Sequence, residues 1–439
     1  SATGPAGIRW HLPGPIPPKR ALGVISRLPG DADRLGNPAM RAELRSLLDA
    51  GLDFEVAHAL ATSMRDRIGD RDEITSDELR SKVRRLLESR GHLGVLESYR
   101  LPFKAPARIV VRNRDGEESA FSRNRHELFL RASGMKPERA EQVTDQLYER
   151  LLASGVVEIT TRQLGYLTWL CLQQDVSKKA ARRFLLWTEY SQSARPLILL
   201  ISGTVGSGKS TVATEVGHVL GIVRIQSTDM LREVMRMATP ERLLPVLHRS
   251  SFDAWCALPI QDHAERDQEQ LLVDGYRSQA KLISVACEAV LQRAVEESVP
   301  VILEGVHAQA ELLDSVVSEP PPVAVQVTLA VLKAKQLKAR LRGRGENAPK
   351  RNARRYLERF ESIWSLQSFL LSEADRCDMP IITNEDRDKT VQQVILQVNQ
   401  ELARHFEGSP REVFGVIIEQ MSAAASGDSW FDVAGALAE

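Results

Sequence analysis

The stretch that decides the fold of this chain is GTVGSGKST, which reads Gly203-Thr204-Val205-Gly206-Ser207-Gly208-Lys209-Ser210-Thr211. It matches the pattern G-x-x-x-x-G-K-[ST] between a short apolar run and a helical pattern, the context of a phosphate-binding loop. Glycines let backbone N–H groups face a β-phosphate, and the following helix adds the positive end of its dipole. Lys209 is expected to bridge β- and γ-phosphate oxygens, and the Ser210 hydroxyl to bind Mg²⁺. The loop therefore predicts ATP and Mg²⁺ as cofactors.

Short apolar runs alternate with helical patterns after Pro196, which is typical of a parallel α/β sheet. Five runs are candidate strands: Leu197 to Ile201, Val223 to Gln226, Pro300 to Leu303, Val323 to Leu329 and Met379 to Thr383. The predicted fold class is α/β, with a five-stranded parallel sheet after a mainly helical region. Ligands of such sheets bind at the carboxyl ends of the strands.

The second candidate strand is followed by Asp229 and, on a helix, by Arg232. Asp229 is expected to accept the proton of an attacking hydroxyl or to orient it, and Arg232 to hold an anionic group of the acceptor. The alternative is a helix N-cap with an exposed arginine. The presence of a phosphate loop upstream favours a kinase, with both residues in the catalytic machinery.

The third candidate strand is followed by Glu304-Gly305-Val306-His307. Glu304 is predicted to lie near Mg²⁺ and to take part in catalysis, and Gly305 to let the backbone pass close to phosphate. His307 is predicted to face the acceptor. The alternative for His307 is an ordinary loop histidine without a task.

The densest basic stretch lies between Lys333 and Arg355, after the fourth candidate strand. Kinases with this order of elements place a mobile lid there, whose arginines neutralise charge on the transferring phosphoryl group. The alternative is a solvated helix face. The predicted lid arginines are Arg340, Arg342, Arg344, Arg351, Arg354 and Arg355.

Residues 1–20 contain five prolines and are predicted to form an extended arm that joins neither helix nor sheet. From there to about residue 192 the pattern is mainly helical, and one phrase occurs twice. Glu73-Ile74-Thr75-Ser76 recurs as Glu158-Ile159-Thr160-Thr161. The phrase indicates a duplicated module, although similar helix N-caps would produce the same likeness.

The second copy begins with a strand pattern, Arg108 to Arg112, and an Asp115-Gly116 hairpin turn. This region resembles the ATP-cone, a regulatory module that begins with a V-x-K-R-D-G hairpin, here Val111 to Gly116. Asn113 stands where the family usually has lysine, which removes a charge that would pair with phosphate. In the first copy Leu28-Pro29-Gly30 replaces the basic turn.

With these motifs assembled, the chain resembles the 2-phosphoglycerate kinase family. The marks are GTVGSGKST, STDMLREVMR at Ser227 to Arg236, SSFDAW at Ser250 to Trp255, and EGVH at Glu304 to His307. The resemblance implies phosphorylation of the 3-hydroxyl of 2-phosphoglycerate by ATP and Mg²⁺, with Ser250 and Ser251 on the acceptor side.

Two other functions stay open on the sequence. Relatives of such kinase domains occur where inositol phosphates are the suspected acceptors, and an ATP-sensing regulator is an alternative of another class. The predicted division is an arm at 1–20, a degenerate cone-like region at 21–104, a cone-like domain at 105–192, a kinase domain at 193–407, and a helix and tail at 408–439.

Composition limits the partners. Lys+Arg and Asp+Glu both total 58, which argues against a nucleic-acid-coating or membrane-coating protein. The expected partner is a small anionic substrate, because Arg232 and the basic lid would surround an anionic acceptor. The four cysteines lack metal-site or redox spacing, and no apolar run approaches the length of a membrane helix. We therefore expect a cytoplasmic protein; the oligomeric state does not follow from the sequence.

Overall fold

A computed structural model describes residues 9–11, 47, 52, 54–68, 73–95, 109–153, 156–259, 267–347, 353–415 and 417–420. The chain divides into two compact units, Ser1–Arg108 and Ile109–Glu439. No described helix is long and apolar enough to cross a membrane.

The first unit contains strand β1 (Arg9–His11), which pairs antiparallel with β2 (Glu73–Thr75). Helices α1 (Phe54–Ile68) and α2 (Ser76–Ser89) complete its described elements, apart from a short 3-10 turn at Leu93–Val95. The strand β1 corrects the expectation that the proline-rich arm joins no sheet, because its three residues contain no proline and keep all their N–H donors. The Leu28-Pro29-Gly30 turn lies outside the described residues.

The second unit begins with a small sheet of strand order β4-β3-β5. Its strands are β3 (Val110–Arg112), β4 (Glu118–Ala120) and β5 (Glu158–Thr160). The predicted hairpin is present between β3 and β4, and Asn113 closes its turn because Oδ1 accepts hydrogen bonds from the amides of Asp115 and Glu117 at 3.0 and 2.8 Å. Asn113 therefore has a structural task where a lysine would carry a charge.

Four helices surround this small sheet. They are α3 (Arg123–Ala132), α4 (Pro137–Ala153), α5 (Thr161–Cys171) and α6 (Lys178–Gln192). Thr160 and Gln163 form a capping box at the start of α5. Both copies of the repeated phrase thus form a strand followed by a helix, but β2 pairs antiparallel with its neighbour whereas β5 pairs parallel with β3. We call residues 109–192 the cone-like half.

The predicted five-stranded parallel sheet is confirmed, with strand order β10-β9-β6-β8-β7. Its strands are β6 (Leu197–Ser202), β7 (Arg224–Ser227), β8 (Val301–Glu304), β9 (Val323–Ala330) and β10 (Ile381–Thr383). Every residue of β6 is buried, which explains its continuous apolar sequence. We call residues 193–407 the P-loop half.

Some strand boundaries differ from the sequence expectation. Val223 is 93% exposed and precedes β7, which extends to Ser227 instead. The amide of Met379 donates to the carbonyl of Ala374 at 2.8 Å, so Met379 ends a helix rather than beginning β10. Pro300 has no N–H donor and stands before β8, which includes Glu304.

Helices cover both faces of this sheet. They are α7 (Lys209–Leu220), α8 (Thr228–Ala238), α9 (Gln268–Glu296), α10 (Ala334–Asn347), α11 (Ala353–Glu358), α12 (Phe360–Arg376) and α13 (Arg387–His405). A last short helix, α14 (Pro410–Phe414), leaves the P-loop half and inserts Val413 and Phe414 into the core of the cone-like half.

The two halves of the second unit share a core. Leu186 and Trp187 of α6 are buried in the same cluster as the strands β6 and β9. From α13, Asn399 Nδ2 donates to the carbonyl of Ala132 at 2.8 Å, and Gln392 Nε2 donates to that of Gly134 at 2.9 Å. The division near residue 192 is therefore a change of architecture inside one packed unit.

Candidate active site

The phosphate loop connects β6 to α7 in a conformation that requires glycine. Gly208 has φ of 90° and caps α7, where a side chain would be strained and would contact the amide of Asn384. The hydroxyls of Thr204 and Ser207 are buried and have no hydrogen-bond partner among the described residues. Such hydroxyls inside a loop of this shape fit a phosphate ligand.

Lys209 and Ser210 stand at the first turn of α7. The Lys209 Nζ donates to the carbonyl of Thr204 at 2.8 Å, across the loop. The Ser210 Oγ donates to Glu304 Oε1 at 2.9 Å. Glu304 is only 6% exposed and ends β8, the neighbour of β6, so the sheet order brings these distant residues together.

The Ser210–Glu304 pair fits a Mg²⁺ ion. A hydroxyl and a carboxylate supply the hard oxygen ligands that Mg²⁺ takes in small number, with phosphate oxygens and waters completing the shell. Among the described residues no group of three or more His, Cys, Asp or Glu side chains is placed to hold a metal ion by itself. Ser210 and Glu304 are the hydroxyl and the carboxylate that the loop and the strand end bring together for such an ion.

A cleft of about 420 Å³ opens beside the loop. Its lining comes from the loop and α7 on one side and from Arg340, Asn384, Glu385 and Arg387 on the other. The Asn384 Nδ2 donates to the carbonyl of Ser207 at 2.7 Å, and Arg340 Nη1 contacts the same oxygen at 3.5 Å. Burial lowers the pKa of Arg340, which remains a cation at neutral pH.

Asn384 is a residue that the motifs did not single out. It follows β10 directly, at a strand end of the kind where parallel sheets bind their ligands. The sequence signal for it is the polar pair Asn384-Glu385 directly after the last candidate strand.

Directly after β7, Asp229 lies in the first turn of α8 with its side chain 68% exposed. Arg232 is only 13% exposed, and its Nη1 donates to the carbonyls of Leu247 and Arg249 at 3.1 and 3.3 Å. Its Nη2 also donates to Glu233 at 2.9 Å. Much of the guanidinium of Arg232 is therefore occupied by the protein, whereas the carboxylate of Asp229 is largely exposed and lies 3.9 Å from Arg232 Nε.

Ser250 directly follows Arg249, whose carbonyl accepts a hydrogen bond from Arg232. Its Oγ accepts a hydrogen bond at 3.1 Å from Nη2 of Arg355 on α11. The same nitrogen donates to Asp253 at 3.2 Å, and Arg359 Nε lies 3.2 Å from the other oxygen of that carboxylate. Ser251 is half-buried beside Ser250. The motif SSFDAW contains Asp253 but predicts no role for it, and none of the motifs contains Arg359.

His307 is buried, with 2% of its surface exposed. Its ring stacks on Tyr276 with centroids 5.7 Å apart, its Nε2 lies 3.0 Å from Gln279 Oε1, and its Nδ1 lies 3.4 Å from Thr228 Oγ1. Burial lowers the pKa of His307 to about 4, so the ring is neutral at pH 7. Both nitrogens have protein partners, which favours a structural task over direct contact with an acceptor.

The predicted lid arginines have separate environments. Arg340 contacts the phosphate loop and Arg355 contacts Ser250, while Arg342 is exposed and Arg354 pairs with Glu358 on the exposed face of α11. Arg344 belongs to α10, and nothing is described of its side chain. Arg351 lies outside the described residues.

Comparisons with known proteins give a consistent set of relatives. A 2-phosphoglycerate kinase from Methanopyrus kandleri is 34% identical over 298 residues, 68% of this chain and 89% of the relative. Proteins of the same name from Pyrococcus furiosus and Pyrococcus horikoshii are 30% and 28% identical over 92% and 96% of their lengths, and cover 65% and 68% of this chain. No protein-family model matches the chain. A solved structure from Chloroflexus aurantiacus covers 47% of this chain and 98% of its own at 14% identity, with a TM-score of 0.26 that does not by itself establish a shared fold.

Proposed function

The chain belongs to the 2-phosphoglycerate kinase family, and from that premise we propose that it transfers the γ-phosphoryl group of ATP to the 3-hydroxyl of 2-phosphoglycerate. The products are ADP and 2,3-bisphosphoglycerate. The observation that carries the proposal is the hydrogen bond between Ser210 of the phosphate loop and Glu304. A nucleotide loop and a buried strand-end carboxylate then stand beside an acceptor side rich in cations.

On the nucleotide side, the residues Gly203 to Thr211 wrap the β-phosphate, and Lys209 bridges the β- and γ-phosphate oxygens. Ser210 and Glu304 would hold Mg²⁺, directly or through water. When bound there, the ion would supply positive charge beside the phosphate oxygens. The ammonium of Lys209 now donates to the carbonyl of Thr204, and it exchanges this oxygen for phosphate oxygens when ATP binds.

On the acceptor side, Asp229 orients the attacking hydroxyl or accepts its proton. The exposure of its carboxylate supports this role, since a base must contact the substrate. The acceptor carries both a phosphate and a carboxylate, and guanidinium groups bind such anions with charge-assisted hydrogen bonds. The acceptor side is formed by Arg232, Ser250 and Ser251. The buried His307 supports it through its contact with Gln279.

The wider organisation follows the same proposal. Residues 193–407 are the catalytic domain, residues 105–192 are a cone-like domain, and the basic helices α10 and α11 act as the lid. The four cysteines are free, which suits a reducing compartment and supports a cytoplasmic location.

The test is a screen of acceptors by ADP release. The full-length protein with ATP and Mg²⁺ is assayed with 2-phosphoglycerate, 3-phosphoglycerate, glycerate and inositol phosphates, and the highest kcat/KM is expected for 2-phosphoglycerate. Preference for an inositol phosphate would replace the acceptor but keep the reaction class. Slow hydrolysis that no acceptor stimulates would contradict the kinase and favour an ATP-sensing protein.

Asp229→Asn tests the assigned role in the same assay. Loss of the carboxylate is expected to lower kcat by about 100-fold, the usual contribution of a positioned base, with little change in the KM for ATP. Asp145→Asn is the matched control, because Asp145 is a half-exposed residue of the cone-like half that pairs with Arg123. Nearly full turnover by Asp229→Asn would exclude the proposed role.

A further inference from the structure

The loop between α8 and α9 contains a segment, residues 247–253, that is fixed on both sides. The Gln279 Nε2 of α9 donates to the carbonyls of Val246 and Arg249 at 2.6 and 3.0 Å. Gly275 on the same helix lets the backbone of Trp255 pack against it, where any side chain would clash. We call residues 247–253 the acceptor segment. Its backbone is a rigid platform because a buried amide and a close helix contact both hold it.

Asp253 is the acidic residue of this platform. It is 6% exposed, and carboxylates are almost never buried unless they are paired. Its Oδ2 accepts from Arg355 Nη2 at 3.2 Å, and its Oδ1 lies 3.2 Å from Arg359 Nε without accepting a hydrogen bond from any described residue. The guanidinium groups of Arg355 and Arg359, about a hundred residues later in the sequence, thus both lie beside this one buried carboxylate.

The charge of this cluster is not balanced. One carboxylate opposes two guanidinium groups, and the described residues provide no other acid within ion-pair distance of Arg355 or Arg359. The two arginine side chains stay 55% and 46% exposed, so each presents N–H donors to solvent. A net positive charge with free donors on a rigid platform is a site for an anion.

The cluster of Asp253, Arg355 and Arg359 lies at the same segment as the residues proposed to contact the acceptor. Arg232, one turn after Asp229 on α8, holds the beginning of the acceptor segment through the carbonyls of Leu247 and Arg249. Arg355 holds its end through Ser250 and Asp253. The exposed carboxylate of Asp229 and the two exposed guanidinium groups therefore flank the same short segment.

We propose that Asp253 is a positioning residue that fixes Arg355 and Arg359 beside Ser250, so that their guanidinium groups bind an anionic group of the acceptor. The inference rests on the proposed function and names the part of the chain that recognises the charged substrate. Asp253 itself does not contact the acceptor. It holds two mutually repelling cations in one geometry before the substrate arrives, which lowers the cost of ordering them on binding.

Asp253→Asn keeps the shape of the side chain and removes its charge. We expect the KM for the acceptor to rise about tenfold, the equivalent of one weakened charge-assisted hydrogen bond, while the KM for ATP stays the same and kcat changes less than threefold. The matched control is Glu88→Gln, which removes an exposed ion pair with Arg84, four residues earlier on α2. The control is expected to behave as wild type.

A double-mutant cycle separates positioning from general stability. Arg355→Lys alone is expected to raise the KM for the acceptor, and adding Asp253→Asn is expected to raise it less than the product of the single effects. Thermal unfolding of each variant shows that it folds. Additive effects, an equal rise in the KM for ATP, or a fall in the KM for the acceptor would overturn the proposal. The last result would show that Asp253 competes with the acceptor for the arginines.

The failure of this inference differs from the failure of the proposed function. If wild type prefers an inositol phosphate, the same KM comparison is made with that acceptor. If no acceptor is phosphorylated, the proposed function is wrong. The role of Asp253 is then tested by measuring hydrogen exchange of α11 with and without inorganic phosphate. Phosphate is then expected to protect α11 in wild type and not in Asp253→Asn; equal protection, or none in either protein, would overturn it.

Discussion

The side chains of Ser210 and Glu304 lie 94 residues apart in sequence and 2.9 Å apart in space. They meet because β6 and β8 are adjacent parallel strands, with Ile201 opposite Glu304. The carboxyl ends of both strands therefore open on the same edge of the sheet. A buried carboxylate at this point has one protein donor, and its remaining oxygen capacity suits a metal ion or a metal-bound water.

Glu304→Gln is expected to lower kcat by about 10- to 100-fold and to raise the Mg²⁺ concentration needed for half-maximal rate. The amide keeps a hydrogen bond with Ser210 but loses the charge that attracts the cation. Steady-state assays over a Mg²⁺ titration measure both effects. Glu311→Gln, at an exposed glutamate after the same strand, serves as the control. An unchanged Mg²⁺ titration in Glu304→Gln would contradict this placement of the ion.

Among the elements, the five-residue helix α14 contributes a large aromatic side chain to the core of the cone-like half. Phe414 is 1% exposed and contacts Tyr166 and Trp169 of α5, with ring centroids 5.5 and 6.3 Å away. Gly165 makes room for the ring, since a side chain there would press on Phe414 at 3.1 Å. Helix α14 thus completes a core that also contains Ile109, about three hundred residues earlier in the sequence.

Phe414→Ala is expected to reduce the free energy of unfolding by about 3–5 kcal/mol, because it removes a buried aromatic ring and leaves a cavity. Chemical denaturation followed by circular dichroism measures the change. Glu412→Ala, on the exposed side of the same helix, is the matched control and is expected to stay within about 0.5 kcal/mol of wild type. A similarly small change for Phe414→Ala would mean that α14 is not part of the core.

At the scale of the whole second unit, we expect the cone-like half and the P-loop half to unfold together, because they share a core. Asn399 and Gln392 join α13 to backbone carbonyls at the end of α3, and Trp187 extends the core of the sheet into the cone-like half. Each half also contains a histidine whose two ring nitrogens both lie close to partners within the protein. His126 lies between the hydroxyls of Thr144 and Thr168, at 2.8 and 3.0 Å.

These two histidines predict how stability depends on pH. Burial lowers the pKa values of His126 and His307 to about 4, below the value of about 6.5 in an unfolded chain. Between these values the unfolded state binds more protons, so stability is full above pH 6.5 and falls as the pH drops toward 4. Each histidine contributes a slope of up to about 1.4 kcal/mol per pH unit.

The measurement is the free energy of unfolding from pH 7.5 to pH 4.5. His126→Gln is expected to flatten the slope, even where it lowers stability at every pH, and His218→Gln at an exposed position is expected to leave the slope unchanged. A slope that His126→Gln does not alter would show that the pKa of His126 is the same in the folded and the unfolded protein.

Much of this molecule follows from local sequence. The spacing of the glycines with Lys209 specifies a phosphate loop, because the glycines let successive backbone amides turn toward one anion and the lysine adds a positive charge. Five apolar runs with polar residues after them predict the parallel sheet, since buried strands must be apolar on both faces. The Asp115-Gly116 turn and the strand-end acids were identified in the same way, from properties that a short stretch carries by itself.

The tertiary structure decided which of the polar residues face each other. It buried His307 against Tyr276, occupied Arg232 with backbone carbonyls, and placed Asn384 against the phosphate loop. It also brought Arg355 to Asp253 across 102 residues of sequence. A pattern records which residues can be charged or buried, but the partner of each depends on strand order and on long-range packing, and those are set only when the whole chain closes around its core.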